Sequence, residues 1–174
     1  DVDGTLPGGS GITYSTSVAD VDGDGFMDIV VGNYNAESQI LFGSADGRTF
    51  SDVTLPGGSR DTFSTSVADV DGDGFMDIVV GNSGENLVLF GSANGRTFSK
   101  IALPGGSRKT FSTSVADVDG DGFMDIVVGN YNAENLVLFG IADGRTFSEI
   151  ALPGGNRKTF STSVADVDGD GFMD

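Results

Sequence analysis

One block of residues, Ser-Thr-Ser-Val-Ala-Asp-Val-Asp-Gly-Asp-Gly-Phe-Met-Asp, occurs four times in this chain, beginning at Ser15, Ser64, Ser112 and Ser161. The intervals are 49, 48 and 49 residues, and a Leu-Pro-Gly-Gly signal recurs in step at Leu6, Leu55, Leu103 and Leu152. A fixed period of this length means that each unit is one supersecondary structure that cannot bury its apolar faces alone and must stack on its neighbours. The one-residue deletion falls where Ser83-Gly84-Glu85 replaces Tyr34-Asn35-Ala36-Glu37, which marks a surface turn.

Within a period, four short strands are predicted. In the second unit they are Thr62–Ala68, Asp77–Gly81, Asn86–Gly91 and Thr97–Leu103. The runs Ile78-Val79-Val80 and Leu87-Val88-Leu89-Phe90 are continuously apolar, as strands buried on both faces are. Asp46-Gly47, Asn94-Gly95 and Asp143-Gly144 lie between the third and fourth strands and read as tight hairpin turns. No segment sustains a helical period. A four-stranded antiparallel unit of 48–49 residues predicts an all-β fold of β-propeller blades, with units at about 11–58, 59–106 and 107–155 and a partial fourth at 156–174. Closed propellers have about 4–8 blades. Three full units and a started fourth therefore predict closure by self-association or within a larger array.

The repeated loops carry the chemistry. In the first, carboxylates stand at positions 1, 3, 5 and 9: Asp20, Asp22, Asp24 and Asp28. The others repeat the set as Asp69, Asp71, Asp73 and Asp77; Asp117, Asp119, Asp121 and Asp125; and Asp166, Asp168, Asp170 and Asp174. At position 7, Phe26, Phe75, Phe123 and Phe172 have apolar side chains and would offer a backbone carbonyl. Glycines at positions 4 and 6 let the chain turn round an ion. Ca²⁺ takes 6–8 hard oxygen ligands in a flexible shell, which this set supplies, whereas Mg²⁺ demands a tight octahedron. Transition metals want His or Cys, and the chain has neither. Without an ion, four aspartates in nine residues would only repel one another. An EF-hand is excluded, because its position 12 must be a carboxylate and here it is Val31.

The formal charge of −17 sits in the same place. The loops hold 16 of the 26 acidic residues, and the rest of the chain is nearly balanced. Four bound Ca²⁺ would bring the total to −9. No basic stripe suits nucleic acid, and no apolar run is long enough for a membrane-spanning helix. The absence of His and Cys removes the usual activators of a nucleophile, so no enzymatic activity is expected.

These residues resemble the FG-GAP and VCBS repeat family. The matching elements are the Phe63–Ala68 strand, the Asp69–Asp77 loop, the Asp77–Gly81 strand and the Gly140–Phe147 hairpin. The resemblance implies propeller blades like those of the integrin α-subunit head and of certain lectins. It also implies an ion in the hairpin between the first two strands, held by the four aspartates of each loop. This sequence departs from the family in having Phe-Ser or Tyr-Ser for Phe-Gly, and Gly-Asn-Tyr or Gly-Asn-Ser for Gly-Ala-Pro. The expected function is a non-catalytic, secreted or cell-surface Ca²⁺-binding scaffold for binding or adhesion, with a glycan or protein ligand. The alternative is a lectin with sugar sites between blades. Its candidates are Tyr14, Phe63, Phe111 and Phe160 with Arg60, Arg108 and Arg157, although core filling explains the rings better. Tyr34 and Tyr131, in predicted turns, are the more exposed candidates.

Overall fold

The computed structural model describes Pro7 and residues 11–174; the first Leu-Pro-Gly-Gly signal lies outside the described residues apart from Pro7. The described residues are all-β. The first blade is β1 (Ile12–Ala19), β2 (Asp28–Tyr34), β3 (Gln39–Phe42) and β4 (Ser51–Thr54). The second is β5 (Thr62–Ala68), β6 (Asp77–Gly84), β7 (Leu87–Phe90) and β8 (Ser99–Ala102). The third is β9 (Arg108–Ala116), β10 (Asp125–Ala133), β11 (Leu136–Gly140) and β12 (Phe147–Ala151), and β13 (Arg157–Lys158) opens the partial fourth. In each full blade the strands pair antiparallel in chain order.

The continuous apolar runs are explained by stacking. Successive side chains of a strand point to opposite faces. Ile78 and Val80 of β6 therefore join Val30, Ile40 and Phe42 of the first blade in one core. Val79 joins Phe90, Ile126 and Leu138 in the next. Phe42 and Phe90 are fully buried, and each such ring contributes about 1.5–3 kcal/mol. The outer strands β4 and β8 cover less and are largely exposed.

The first strands of successive blades meet through hydroxyls. Ser15, Ser64 and Ser112 share hydrogen bonds with Thr65, Thr113 and Thr162 of the following blade, each at 3.0 Å. Ser17, Ser66 and Ser114 donate to the backbone carbonyls of the same threonines. Blades can come this close only because Gly32, Gly81 and Gly129 carry no Cβ. At Gly81 a Cβ would lie 2.9 Å from Thr110 Cγ2 and 3.2 Å from both Thr113 Cγ2 and Ser64 Cβ.

Three expectations need correction. The second strand does not stop at Gly81 but runs to Gly84, because its end pairs with the following blade at Ser83↔Lys109 and Gly84↔Arg108. Tyr34, paired with Ile12 of its own blade, and Tyr131, paired with Lys109 and with Lys158 of the next, are likewise half-buried strand residues and not turn residues. The Asp-Gly segments are not two-residue hairpins. Phe42 and Ser51 are separated by an eight-residue loop in which the Asp46 carboxylate accepts from the amides of Arg48 and Thr49 and from the hydroxyls of Ser44 and Thr49. Only Gly47 there has positive φ, at 63°, so the side chain of Asp46 closes the turn that a left-handed pair would have made.

Candidate metal centres

Each aspartate loop joins the first strand of a blade to the second. The position-9 aspartates Asp28, Asp77 and Asp125 begin β2, β6 and β10 and are completely buried. Backbone amides hold them from two sides. Asp77 Oδ2 accepts from Val70 N at 2.7 Å, and Asp77 Oδ1 from Gly91 N at 2.8 Å. Asp28 and Asp125 repeat this with Val21 and Gly43, and with Val118 and Gly140. The glycine after each third strand is required here, since a Cβ on Gly43, Gly91 or Gly140 would overlap the carbonyl oxygen of Met27, Met76 or Met124.

The position-1 aspartates cap the turn. Asp20 accepts from Asp24 N at 3.1 Å and Gly25 N at 2.9 Å, and Asp117 accepts from the amides of Gly120, Asp121 and Gly122. Positive φ at Gly23 (73°) and Gly25 (90°) lets these amides converge.

The result brings together positions 1, 3 and 9. Asp20, Asp22 and Asp28 present carboxylate oxygens within 4.8 Å of one another, as do Asp69, Asp71 and Asp77; Asp117, Asp119 and Asp125; and Asp166, Asp168 and Asp174. The last cluster is exposed at all three members. Position 5 stands outside these groups. Asp24, Asp73, Asp121 and Asp170 each accept from the amide of the position-7 residue, Phe26, Phe75, Phe123 or Phe172, at 2.8–2.9 Å. The rings of those four phenylalanines are exposed.

Burial pushes Asp28 and Asp125 above the usual carboxylate range and Asp77 up to about 6. The charges of Asp22, Asp71 and Asp119 add to the rise, and the backbone amides oppose it. Among the described residues, no lysine or arginine pairs with these three buried carboxylates. The Asp69 Oδ1 atom is buried with no hydrogen-bond partner. Converging carboxylates, one orphaned oxygen and an all-oxygen donor set fit a hard divalent cation such as Ca²⁺.

Two partners could not be read from loop spacing. Arg96 of the second blade reaches Asp22 of the first, with Nε at 3.0 Å and the terminal nitrogen at 2.7 Å from Oδ2. Arg145 of the third makes the same contact with Asp71, at 2.7 and 2.6 Å. The only trace in the sequence is a recurring Gly-Arg, at residues 47–48, 95–96 and 144–145.

The aromatic candidates for sugar binding gather away from the loops. Phe63 and Phe111 stack with ring centres 4.5 Å apart, Tyr14 meets Phe63 edge-on at 5.1 Å, and Phe160 meets Phe111 at 5.4 Å. Tyr34 and Tyr131 join the same stack. Arg60, Arg108 and Arg157 hydrogen-bond backbone carbonyls near the blade junctions.

Among curated proteins, none matches this chain. A solved structure described as "Crystal structure of BBS1N in complex with ARL6DN, soaked with lead" is similar in fold, with a TM-score of 0.59 at 12% identity. That likeness covers 90% of this chain and 49% of the other, so the chain spans about half the length of that structure. The FG-GAP-like repeat pattern matches residues 20–80, 69–128 and 117–174, each stretch running from one aspartate loop through the next. The chain belongs to the FG-GAP-like repeat family.

Proposed function

We propose that this chain is a non-catalytic, Ca²⁺-binding β-propeller scaffold for extracellular binding or adhesion, with the ion tying the first two strands of each blade. The observation that carries this is the recurrence, at one place in each full blade, of a completely buried carboxylate converging with two others and, among the described residues, itself paired with no cationic side chain. A buried charge of this kind is costly unless a counter-charge joins it. The backbone carbonyls of Phe26, Phe75, Phe123 and Phe172 and the position-5 aspartates would complete the shell. Family membership supports the placement outside the cell, where millimolar Ca²⁺ suffices for loops of this kind. No helix among the described residues is long and apolar enough to cross a membrane, which leaves β-barrel crossing untouched.

The first blade supports association with a further blade, from another copy or a longer array. Tyr14 is 53% exposed, whereas its counterpart Phe63, covered by the first blade, is 6% exposed. A second reading, a lectin, is favoured by a groove of about 680 Å³ between the first two loops, lined by Met27, Phe75 and Met76 beside Asp20 and Asp22. Calorimetric titration with Ca²⁺, with light scattering for mass, tests the main reading. Saturable uptake of several ions per chain is expected, with Mg²⁺ a poor competitor. Absence of uptake at millimolar Ca²⁺ would sink it, and a glycan array in Ca²⁺ separates the lectin from the plain scaffold.

A further inference from the structure

The outer hairpin of each blade ends in Gly-Arg, and the three copies differ in what they touch. In the second blade, Gly95 packs on the backbone of Asp22, where a Cβ would overlap the Asp22 Cα. Arg96 then lays its guanidinium over the Phe42 ring, 4.3 Å from the centroid, and grips Asp22 Oδ2 with two nitrogens. The third blade repeats the arrangement on the second, with Gly144 on Asp71 and Arg145 both 4.5 Å over Phe90 and on Asp71 Oδ2. In the first blade Gly47 has the same positive φ but meets no atom within 4 Å, and Arg48 makes no ion pair among the described residues. The Asp22 and Asp71 side chains are accordingly only 5% and 4% exposed, whereas Asp119, which no arginine covers among the described residues, is exposed.

The two carboxylate oxygens are divided. Asp71 Oδ2 takes the guanidinium, while Asp71 Oδ1 turns into the loop and accepts from Asp73 N at 3.2 Å. Asp22 is divided in the same way between Arg96 and Asp24 N. Asp119 Oδ1 makes the same inward bond, from Asp121 N at 3.2 Å, without an arginine, so the fork on Oδ2 of Asp22 and Asp71 adds a second restraint on the plane of the carboxylate. Isolated surface ion pairs contribute little, but these pairs are two-pronged, stacked on an aromatic ring and closed over a nearly buried acid.

Resting on the metal reading above, we infer that the Gly-Arg hairpin tip is a clamp on the ion loop of the preceding blade, with Arg96 and Arg145 positioning residues for Asp22 and Asp71. Ion occupancy and blade docking are coupled in loops 20–28 and 69–77, the two loops that a following Gly-Arg tip reaches among the described residues.

The test compares Arg145→Gln with Arg48→Gln, following the amide resonances of Gly74 and Gly122 during Ca²⁺ titration. Loss of the outer partner of a ligand weakens affinity by about 10-fold or more. Arg145→Gln is expected to weaken Ca²⁺ at Gly74 by that factor and to leave Gly122 unmoved, while Arg48→Gln changes neither. Arg145→Lys, which keeps the charge but not the fork, should fail to restore the affinity. An unchanged or tighter Gly74 site, an equal change at Gly122, or full rescue by lysine overturns the inference. Should Ca²⁺ move none of the loop glycines, the metal reading fails and the clamp is judged without it. In EDTA, Arg145→Gln should then lower the melting midpoint by about 3 °C and Arg48→Gln should not; equal midpoints overturn the clamp.

Discussion

Gly81→Ala asks whether the spacing between blades is set by the missing side chain. The added Cβ would sit 2.9 Å from Thr110 Cγ2, roughly 1 Å short of the carbon–carbon optimum, with two more tight contacts at 3.2 Å. None of these neighbours is free to swing aside. Thr110 Oγ1 is held by Asn86 at 2.8 Å and by Asn130 at 2.8 Å, and Thr113 Oγ1 by Ser64 and Ser66 at 3.0 and 2.8 Å. Overpacking of this kind costs about 1–3 kcal/mol. Each neutral hydrogen bond strained by the shift adds about 1 kcal/mol. The sum is about 3 kcal/mol, or about 10 °C in the melting midpoint for a chain of this size. The assay is urea unfolding in EDTA, so that ion affinity does not enter. Because the clash is with a methyl group, Thr110→Ser in the Gly81→Ala background should recover about half of the loss while costing stability in the parent chain. A variant within about 0.5 kcal/mol of the parent, or simple additivity with Thr110→Ser, would refute the close-approach explanation.

Thr113→Val keeps the shape but removes the hydroxyl shared with Ser64 and Ser66, and should cost about 1–2 kcal/mol in the same assay. Thr16→Val, at the equivalent exposed position of the first blade, should be neutral within about 0.5 kcal/mol. The Asp46 and Asp143 carboxylates are held below the usual range, chiefly by the hydroxyls of Thr49 and Thr146. A depressed acid contributes stability above its unfolded value of 3.8, and that contribution is lost as pH falls through the lower folded value. Asp46→Asn with Asp143→Asn should therefore lose that contribution at pH 7 while keeping the turn, which the natural Asn94 makes with the same bonds, and should soften the acid loss. Acid sensitivity unchanged from the parent would show that these two carboxylates do not carry the loss.

Much of the blade was legible because its forces are local. Ile78-Val79-Val80 must be covered on both faces, and aspartates two apart in a glycine-rich turn must converge. Position 5 lies outside the converging groups, with Asp73 accepting from Phe75 N. What escaped were contacts made between blades. The extension of β6 to Gly84 depends on Lys109 and Arg108, and the grip on Asp22 comes from Arg96, 74 residues away. The hairpin loops were misjudged for a different reason: Asp46 supplies with its side chain the bonds that a tight turn supplies with backbone.

The matching hydroxyl ladders carry a consequence for assembly. Ser15 on Thr65, Ser64 on Thr113 and Ser112 on Thr162 are one lock cut three times. Nothing in that lock distinguishes a legitimate neighbour from any other copy, so the hydroxyls leave sequence order among the units to the short Pro-Gly-Gly tethers and to the junction contacts that differ between units. Longer tethers would therefore weaken the preference of each hydroxyl row for its neighbour in sequence over the same row of another chain.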